Sequence, residues 1–222
     1  MLEKIRLQNF KLHKDTTLEI KPITIFIGQN NSGKSSIFQA HSATMILEKY
    51  DVDVLILFGI GGTYQDSGLN IGDIAVAESE NYGEEGVLLK EGWNSMEFTG
   101  FPLLKKEKEY YNAFPLDANM SWLATDASKD CGFNVKAGNF VTVSQCSGTR
   151  KSGELMKKRF NGLCENMEGA AAAHICAMYG VPMIEVRGIS NIIEDRDLKK
   201  WDINRAALNC NKVIMELVRR LK

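Results

Sequence analysis

The chain has 222 residues, of which 44% are apolar and 25% charged, a balance typical of a globular protein with one sizeable core. Its formal net charge is −1, so no overall field favours nucleic acid or an anionic membrane as a partner. We recognise no leader peptide and no apolar run long enough to cross a bilayer, and we therefore expect no membrane association.

The cysteines and histidines argue against two further classes of protein. Five cysteines are an odd number without a CxxC pair, and we expect them to be reduced thiols in a cytoplasmic protein. The three histidines have no clustered ligand partners nearby in the sequence. The sequence therefore predicts no metal site.

The first forty residues follow a pattern of strands and a phosphate-binding loop. The segment Glu3–Phe10 alternates polar and apolar residues, which predicts a half-buried strand, and residues 15–27 predict a further strand pair. Residues 28–35, GQNNSGKS, then fit the pattern GxxxxGK[ST] between the strand ITIFI and a helix. In such a loop the backbone N–H groups hold phosphates, the Lys reaches the outer phosphates and the Ser hydroxyl binds Mg²⁺.

This amino-terminal stretch resembles the start of SMC and ABC-type chromosome-maintenance ATPases. The resemblance implies an alternative site for ATP and Mg²⁺ at Gly28, Gly33, Lys34 and Ser35. Such ATPases also need a strand ending in Asp-Glu and an LSGGQ-like signature, and we find neither. Two interpretations stay open: a residual nucleotide site, or a strand–loop–helix that only completes the fold.

Several segments in the middle of the chain have clear patterns. The apolar run Asp53–Phe58 predicts a central strand of a parallel sheet, followed by a tight turn at residues 59–62, GIGG. Residues 93–115 have little periodicity and predict a surface segment with aromatic side chains near a pocket mouth. The run Asn139–Ser144 predicts another strand, with Gln145 and Cys146 in the turn after it.

The most informative stretch is Cys164–Asn191, which predicts a strand, a helix of small residues and a second strand. Glu168 and Asn191 both fall at strand ends, where open α/β sheets bind ligands. A last helix follows, whose predicted core-facing stripe consists of Ile203, Ala207, Cys210, Ile214, Leu217 and Leu221.

Two motifs in this stretch resemble the purine nucleoside phosphorylase and nucleosidase superfamily, and within it the futalosine hydrolases. They are residues 166–169, NMEG, and residues 187–191, RGISN, and the resemblance extends from about residue 40 to the carboxyl terminus. It implies an α/β fold, a three-layer sandwich around a central, mostly parallel, mixed sheet. Here that sheet would follow an amino-terminal strand–loop–helix of the phosphate-loop type. We divide the chain into residues 1–39 and 40–222, which we expect to form one compact unit.

The same resemblance implies a small-molecule partner, a purine nucleoside, and a homo-oligomer that uses no cofactor. If the substrate is futalosine, the resemblance implies hydrolysis of its N-glycosidic bond with release of hypoxanthine. That reaction would be a step in menaquinone biosynthesis. The implied substrate-binding residues are Gly59, Ile60, Gly61, Gln145, Cys146, Asn166, Met167, Glu168, Ser190, Asn191 and Trp201. For Trp201, capping of the pocket and ordinary packing both stay open.

Glu168 and Asn191 are the candidate catalytic residues. Cleavage of a purine N-glycosidic bond develops positive charge on the ribose, and an ionised Glu168 can accept hydrogen bonds from both ribose hydroxyls. Alternatively, Glu168 is an ordinary carboxylate at a helix start. Asn191 stands where methylthioadenosine nucleosidases have Asp. Its amide can donate to a 6-oxo group and accept from a protonated N7, a pattern that suits hypoxanthine better than adenine.

One catalytic part of that family is not recognisable in the sequence. The nucleosidases activate water with a Glu at the end of their first strand, and Glu3, Asp15 and Glu19 lie in a different pattern. Loss of a general base would cost on the order of a hundredfold to ten-thousandfold in rate. The sequence therefore leaves three hypotheses: a nucleosidase that releases hypoxanthine, an ATP-binding protein, and an inactive fusion.

Overall fold

The computed structural model describes residues 4–10, 13–19, 23–27 and 35–221, with side-chain surroundings from residue 40 onward. Its helices are α1 Ser35–Lys49, α2 Ala118–Asp130, α3 Arg150–Phe160, α4 Gly169–Tyr179 and α5 Ile203–Arg220. Its strands are β1 Lys4–Phe10, β2 His13–Glu19, β3 Ile23–Ile27, β4 Val54–Thr63, β5 Ile74–Tyr82, β6 Val87–Leu89, β7 Gly92–Asn94, β8 Leu104–Lys105, β9 Glu109–Tyr110, β10 Ala113–Pro115, β11 Val135–Thr142, β12 Gly162–Asn166 and β13 Met183–Ile192.

A mixed seven-stranded sheet forms the centre of the molecule, in the order β10-β5-β11-β12-β4-β13, with β3 beside β4. The pairs β3/β4, β4/β13, β5/β11 and β11/β12 are parallel, whereas β5/β10, β4/β12 and β5/β13 are antiparallel. Because β13 pairs with both β4 and β5, the sheet closes on itself. The predicted fold class, an α/β protein with a mostly parallel mixed sheet, is confirmed.

Both faces of the sheet are covered by helices. Along β4, Leu55 and Leu57 pack against Ala43 of α1 and Ala172 of α4. The alternate residues Val54, Ile56 and Phe58 pack on the other side, against side chains of α2 and α5. Successive side chains of a strand point to opposite faces, so this unbroken apolar strand fills two cores at once.

The amino-terminal segment contributes one strand to this sheet. Strand β3 runs parallel to β4, in a register from Ile23 opposite Val54 to Ile27 opposite Phe58. The hairpin β1–β2 forms a separate two-stranded sheet. Of the predicted phosphate-loop residues, Gly28, Gly33 and Lys34 lie outside the described residues, and Ser35 begins α1. The nucleotide site and the domain division at residue 40 stay predictions.

The predicted turn at residues 59–62 is wrong, because β4 continues through these glycines to Thr63. At Gly61 a Cβ atom would lie 2.6 Å from Cys164 Sγ and 2.9 Å from the carbonyl oxygen of Glu165. Glycine therefore allows β4 to pass unusually close to β12. What looked like a break in the sequence is a close approach of two strands.

Residues 93–115, which the sequence predicts to be a surface segment of little periodicity, contain regular structure. They include β8, β9 and the edge strand β10. Phe98 and Phe101 are exposed, whereas Phe114 is completely buried. Its ring stacks on His174, with 4.5 Å between the ring centroids. The weak periodicity arises because the strands here are only two or three residues long.

The predicted stripe of α5 holds at Cys210, Ile214 and Leu217 but is wrong at Ile203, which is half exposed. Ile203 is the first residue of the helix, directly after its N-cap Asp202, and the buried face begins at Ala206. In the part of the chain that the structure describes, no helix is both long and apolar enough to traverse a lipid bilayer.

Helix α5 provides a matched test of this packing. Leu217 is fully buried on the core face, whereas Leu208 on the same helix is 58% exposed. We expect Leu217→Ala to lower the free energy of unfolding by about 2–5 kcal/mol through cavity formation. Leu208→Ala should change it by no more than about 0.5 kcal/mol. Urea unfolding of both variants measures the difference, and equal effects would contradict the packing described for α5.

Candidate active site

The turn after β12 presents Glu168 at the start of α4. Asn166 Oδ1 accepts hydrogen bonds from the backbone N–H groups of Glu168 (2.9 Å) and Gly169 (2.7 Å), which fixes the turn. Glu168 occupies the N-cap position of α4, but its side chain makes no capping hydrogen bond. Glu168 therefore does not cap α4 with its side chain, and its charge at the helix start remains compatible with either interpretation.

Glu168 is instead part of a buried ion pair. Its side chain is 1% exposed, and Oε2 accepts from Arg187 Nη1 at 3.2 Å. Arg187 Nε also donates to Glu185 Oε1 at 2.8 Å. Burial tends to lower the pKa of Arg187, but the carboxylates of Glu185 and Glu168 outweigh it, and the net pKa is raised. Arg187 is therefore a fixed cation within the protein.

Two polar atoms of this pair have no partner among the described residues. They are Glu168 Oε1 and Arg187 Nη2, and both are buried. A buried acceptor without a donor costs about 1–3 kcal/mol, so natural structures rarely keep one without a reason. A ligand that brings hydroxyl groups would satisfy both atoms, since a hydroxyl both donates and accepts.

Asn191 lies near the end of β13, opposite Gly62 of β4. Its Oδ1 accepts from Ser190 Oγ at 2.9 Å, and this bond orients the amide. Ser190 Oγ also lies 3.1 Å from the carbonyl oxygen of Gly61. In the described part of the chain, Asn191 Nδ2 makes no hydrogen bond, so it is available to a ligand. The amide thus offers a free donor next to an acceptor.

A cleft next to Asn191 is the open part of this region. It is lined by Ile71, Ser147, Asn191, Ile192, Ile193, Glu194, Arg196, Asp197, Lys200 and Trp201. Trp201 is half-buried in it, and the guanidinium of Arg196 lies 5.0 Å above the indole ring. Glu168 does not line this cleft. The predicted residues thus occur as an open part around Asn191 and a buried part around Glu168.

Contacts between the turns after β11 and β12 join these two parts. Cys146 Sγ lies 3.5 Å from Met167 Sδ. Ser147 donates to Glu165 through its backbone N–H (2.8 Å) and its hydroxyl (2.7 Å). Burial raises the pKa of Glu165, while the bonds from Ser147 act in the opposite direction. Because Ser147 also lines the cleft, the open part is directly attached to the strand that leads to Glu168.

The remaining predicted residues have supporting positions. The carbonyl oxygen of Ile60 accepts from Arg187 Nη1 at 3.3 Å, and that of Gly61 lies 3.1 Å from Ser190 Oγ. Backbone carbonyl groups in the glycine-rich part of β4 therefore position both side chains. Gly59 lies in the same strand. Gln145 is exposed, and its backbone N–H donates to Glu84 at 3.3 Å. Glu84 is exposed, and its carboxylate organises this turn by accepting from the backbone N–H groups of Ser144 and Gln145.

Sequence reasoning assigned no role to the buried polar residues packed around Glu168 and Asn166, which include Glu80, Thr142, Glu185 and Arg187. Arg187 belongs to a quoted motif but had no role assigned to it. Glu185 interrupts the apolar run MIEVRG, and a charged residue inside a buried strand is the signal that could have identified it. Within the described ranges, no group of His, Cys, Asp and Glu could hold a metal ion.

Comparison with known proteins places this geometry in a family. The model of the phosphorylase superfamily matches residues 6–219, nearly the whole chain. This protein therefore belongs to the phosphorylase superfamily. The match also includes most of the first forty residues, where the sequence motifs alone indicated a different origin.

Two of its relatives are named as a hydrolase and a nucleosidase. Futalosine hydrolase of Thermus thermophilus is 33% identical over 185 residues, which cover 81% of this chain and 76% of that protein. The 5′-methylthioadenosine/S-adenosylhomocysteine nucleosidase of Halalkalibacterium halodurans is 26% identical over 92% of this chain and 84% of the relative. We conclude that the chain is of the nucleosidase type within its superfamily.

Solved structures agree with the fold. S-adenosylhomocysteine nucleosidase of Streptococcus pyogenes, in complex with 5-methylthiotubericidin, matches with a TM-score of 0.74 at 19% identity. The match covers 99% of this chain and 89% of that one. Futalosine hydrolase of Helicobacter pylori matches with a TM-score of 0.69, also at 19% identity, over 83% and 77% of the two chains.

The buried ion pair generates a stability prediction. Arg187→Met removes the cation that two buried carboxylates share, and we expect the free energy of unfolding to fall by about 3–5 kcal/mol. The matched control is Arg150→Met, because Arg150 forms an exposed pair with Glu154. That change should cost less than about 1 kcal/mol. Urea unfolding near neutral pH compares the two variants, and equal small losses would contradict the role of Arg187.

Proposed function

We propose that the protein hydrolyses the N-glycosidic bond of a 6-oxopurine nucleoside of the futalosine type and releases hypoxanthine. The observation that carries this proposal is the buried Glu168 carboxylate, which has one oxygen paired with Arg187 and the other without a donor. The 33% identity to a futalosine hydrolase supports the same substrate class.

In the proposed reaction, the C1′–N9 bond breaks, a water oxygen bonds to C1′, and the base leaves with a proton. Positive charge develops on the ribose ring as the bond breaks. Glu168 accepts hydrogen bonds from the ribose hydroxyls, and its negative charge stabilises the charge on the sugar. The guanidinium of Arg187 donates to Glu168 Oε2 and orients the carboxylate for this role.

Asn191 recognises the base in this proposal. The free Nδ2 group donates to the 6-oxo group, and Oδ1, which already accepts from Ser190, keeps a second lone pair for a protonated N7. Adenine would present a donor to a donor at the 6-position, a mismatch of about 1–3 kcal/mol in a buried site. The base therefore occupies the cleft that Asn191 and Trp201 line.

Several wider statements belong to the same proposal. Hydrolysis consumes only water, so we propose no cofactor. We also propose a homo-oligomer in the cytoplasm, in line with the sequence-based expectation. The cysteines are free thiols, which suits a reducing compartment.

Chromatographic detection of free base tests the proposed function directly. Incubation with futalosine should release hypoxanthine, and Glu168→Gln should lower kcat by about a hundredfold or more, because the charge facing the sugar is lost. Glu154→Gln, an exposed change of the same type, should leave kcat unchanged. Release of adenine from 5′-methylthioadenosine in preference to hypoxanthine from futalosine would contradict the substrate assignment. Release of neither base would contradict the nucleosidase proposal.

Base recognition by Asn191 has its own test. Asn191→Asp replaces a donor with an acceptor, and we expect the ratio of kcat/KM for adenine over hypoxanthine nucleosides to rise by at least about tenfold. The measurement compares inosine with adenosine on both proteins. An unchanged ratio, with activity retained, would count against this role for Asn191.

A further inference from the structure

Two buried carboxyl groups below the candidate site have no assigned role. Glu80 of β5 and Glu185 of β13 are both 0% exposed. A Cβ atom on Gly169 would lie 1.9 Å from Glu80 Oε1 and 2.5 Å from Glu185 Oε2, so these two oxygens are neighbours under the start of α4. Gly169 therefore has to be glycine for this pair to fit there.

The charges around this pair do not balance unless a proton is present. Among the described residues, Arg187 is the cation that contacts the cluster, and it donates to Glu185 and Glu168. In the described part of the chain, Glu80 forms no ion pair or hydrogen bond with a cationic side chain. Its Oε2 accepts from Thr142 Oγ1 at 2.8 Å, and its Oε1 accepts from Asn166 Nδ2 at 2.5 Å. Two adjacent buried carboxyl groups do not both ionise.

The proton is best located on Glu80 Oε1. Burial raises the pKa of Glu80, and the neighbouring Glu185 raises it further. Glu185 keeps its charge more readily because Arg187 counteracts the effect of burial. Glu185 Oε2 has no other donor among the described residues, and a protonated Glu80 supplies one. The charged form is thus Glu185 and the neutral form Glu80.

Glu80 is connected to Glu168 along two routes. One runs through Glu185 and Arg187, which donates to Glu168 at 3.2 Å. The other runs through Asn166, whose amide donates to Glu80 and whose Oδ1 accepts from the backbone N–H of Glu168. A change at Glu80 therefore alters both the orientation of Glu168 and the charge that surrounds it.

We propose that Glu80 and Glu185 share one proton and act as a positioning pair, which keeps the Glu168 carboxylate hydrogen-bonded to Arg187 and directed at the sugar. This inference rests on the proposed function for its effect on turnover. The protonation of the pair itself does not depend on that function. If Glu80 lost its proton, the carboxylates of Glu80, Glu185 and Glu168 would compete for the guanidinium of Arg187. The hydrogen bond from Arg187 to Glu168 would then weaken.

Other titratable groups face Glu80 from the surrounding strands. The groups that interact with Glu80 through their charge are Glu185, Arg187, Tyr64, Tyr82 and Cys164. The charge of Glu168 in turn raises the pKa of Glu185. Burial raises the pKa of Tyr64, Tyr82 and Cys164, which keeps these three groups neutral near pH 7. A group of this cluster that titrates near neutral pH is therefore one of the two carboxyl groups, Glu80 or Glu185.

The first test measures the protonation of Glu80 and needs no substrate. The pKa of Glu80 is higher in the folded than in the unfolded chain, so folding takes up a proton. The folding equilibrium constant then falls by up to tenfold per pH unit as pH rises from about 4.3 towards the raised pKa. Glu80→Gln has no proton to lose, so its folding constant relative to wild type should rise with pH over that range.

Urea unfolding at several pH values measures this ratio, with Glu154→Gln as an exposed control for the substitution itself. Infrared spectra at neutral pH should show the C=O stretch of a protonated carboxyl group in the wild type, reduced in Glu80→Gln. A ratio for Glu80→Gln that does not change with pH, together with an unchanged infrared band, would overturn the shared proton.

The second test measures, through kcat, whether Glu80 positions Glu168. Glu80→Leu removes both routes to Glu168, and kcat for hypoxanthine release should fall by about a hundredfold, with a smaller change in KM. Glu80→Gln keeps a neutral donor for Glu185 and should recover at least about tenfold of that loss, although it gives up the acceptor for Asn166.

The two tests separate the possible failures. If the wild type releases no base, the proposed function fails, while the stability and infrared data still decide the proton. If the wild type is active and both Glu80 variants match it in kcat, the positioning role is overturned. If Glu80→Leu does not fold, a Glu80→Gln variant with wild-type kcat at every pH also overturns it, because the pH-dependent support of Glu168 would be absent.

Discussion

The guanidinium of Arg187 lies between two buried carboxylates, and the arrangement of the candidate site depends on this contact. It donates to Glu185 within its own strand and to Glu168 at the start of α4. A buried carboxylate needs a compensating charge, and here one cation pairs with a carboxylate in the sheet and with another in the candidate site. The position of Glu168 is therefore set by the central sheet rather than by its own helix.

The closed sheet explains why such a polar cluster can exist in the interior. Strand β13 pairs with β4 on one side and with β5 on the other, which brings Glu80 of β5 close to Glu185 of β13. Glycine at position 61 leaves room for Cys164 and the backbone of Glu165, and glycine at position 169 leaves room for the carboxyl groups of Glu80 and Glu185. The apolar cores on the two faces hold the strands, and the polar cluster lies where α4 begins.

Much of the fold followed from local patterns. The strand around residue 55, the small-residue helix ended by Gly180, and the strand that starts near residue 183 were predicted because their periodicities are strong. The strand nature of residues 59–62 was not predicted, since glycine normally signals a turn. The edge strand containing Phe114 was missed because it is only three residues long.

For the site, the sequence by itself determined the chemistry of the two key side chains, a carboxylate at position 168 and an amide at position 191, and the resemblance that connects them. Only the tertiary structure decided that Glu168 is buried against Arg187, while Asn191 borders an open cleft with Trp201. The reason is physical. Side-chain chemistry is a local property, whereas burial and charge compensation arise from strands far apart in the chain that meet only after the sheet has closed.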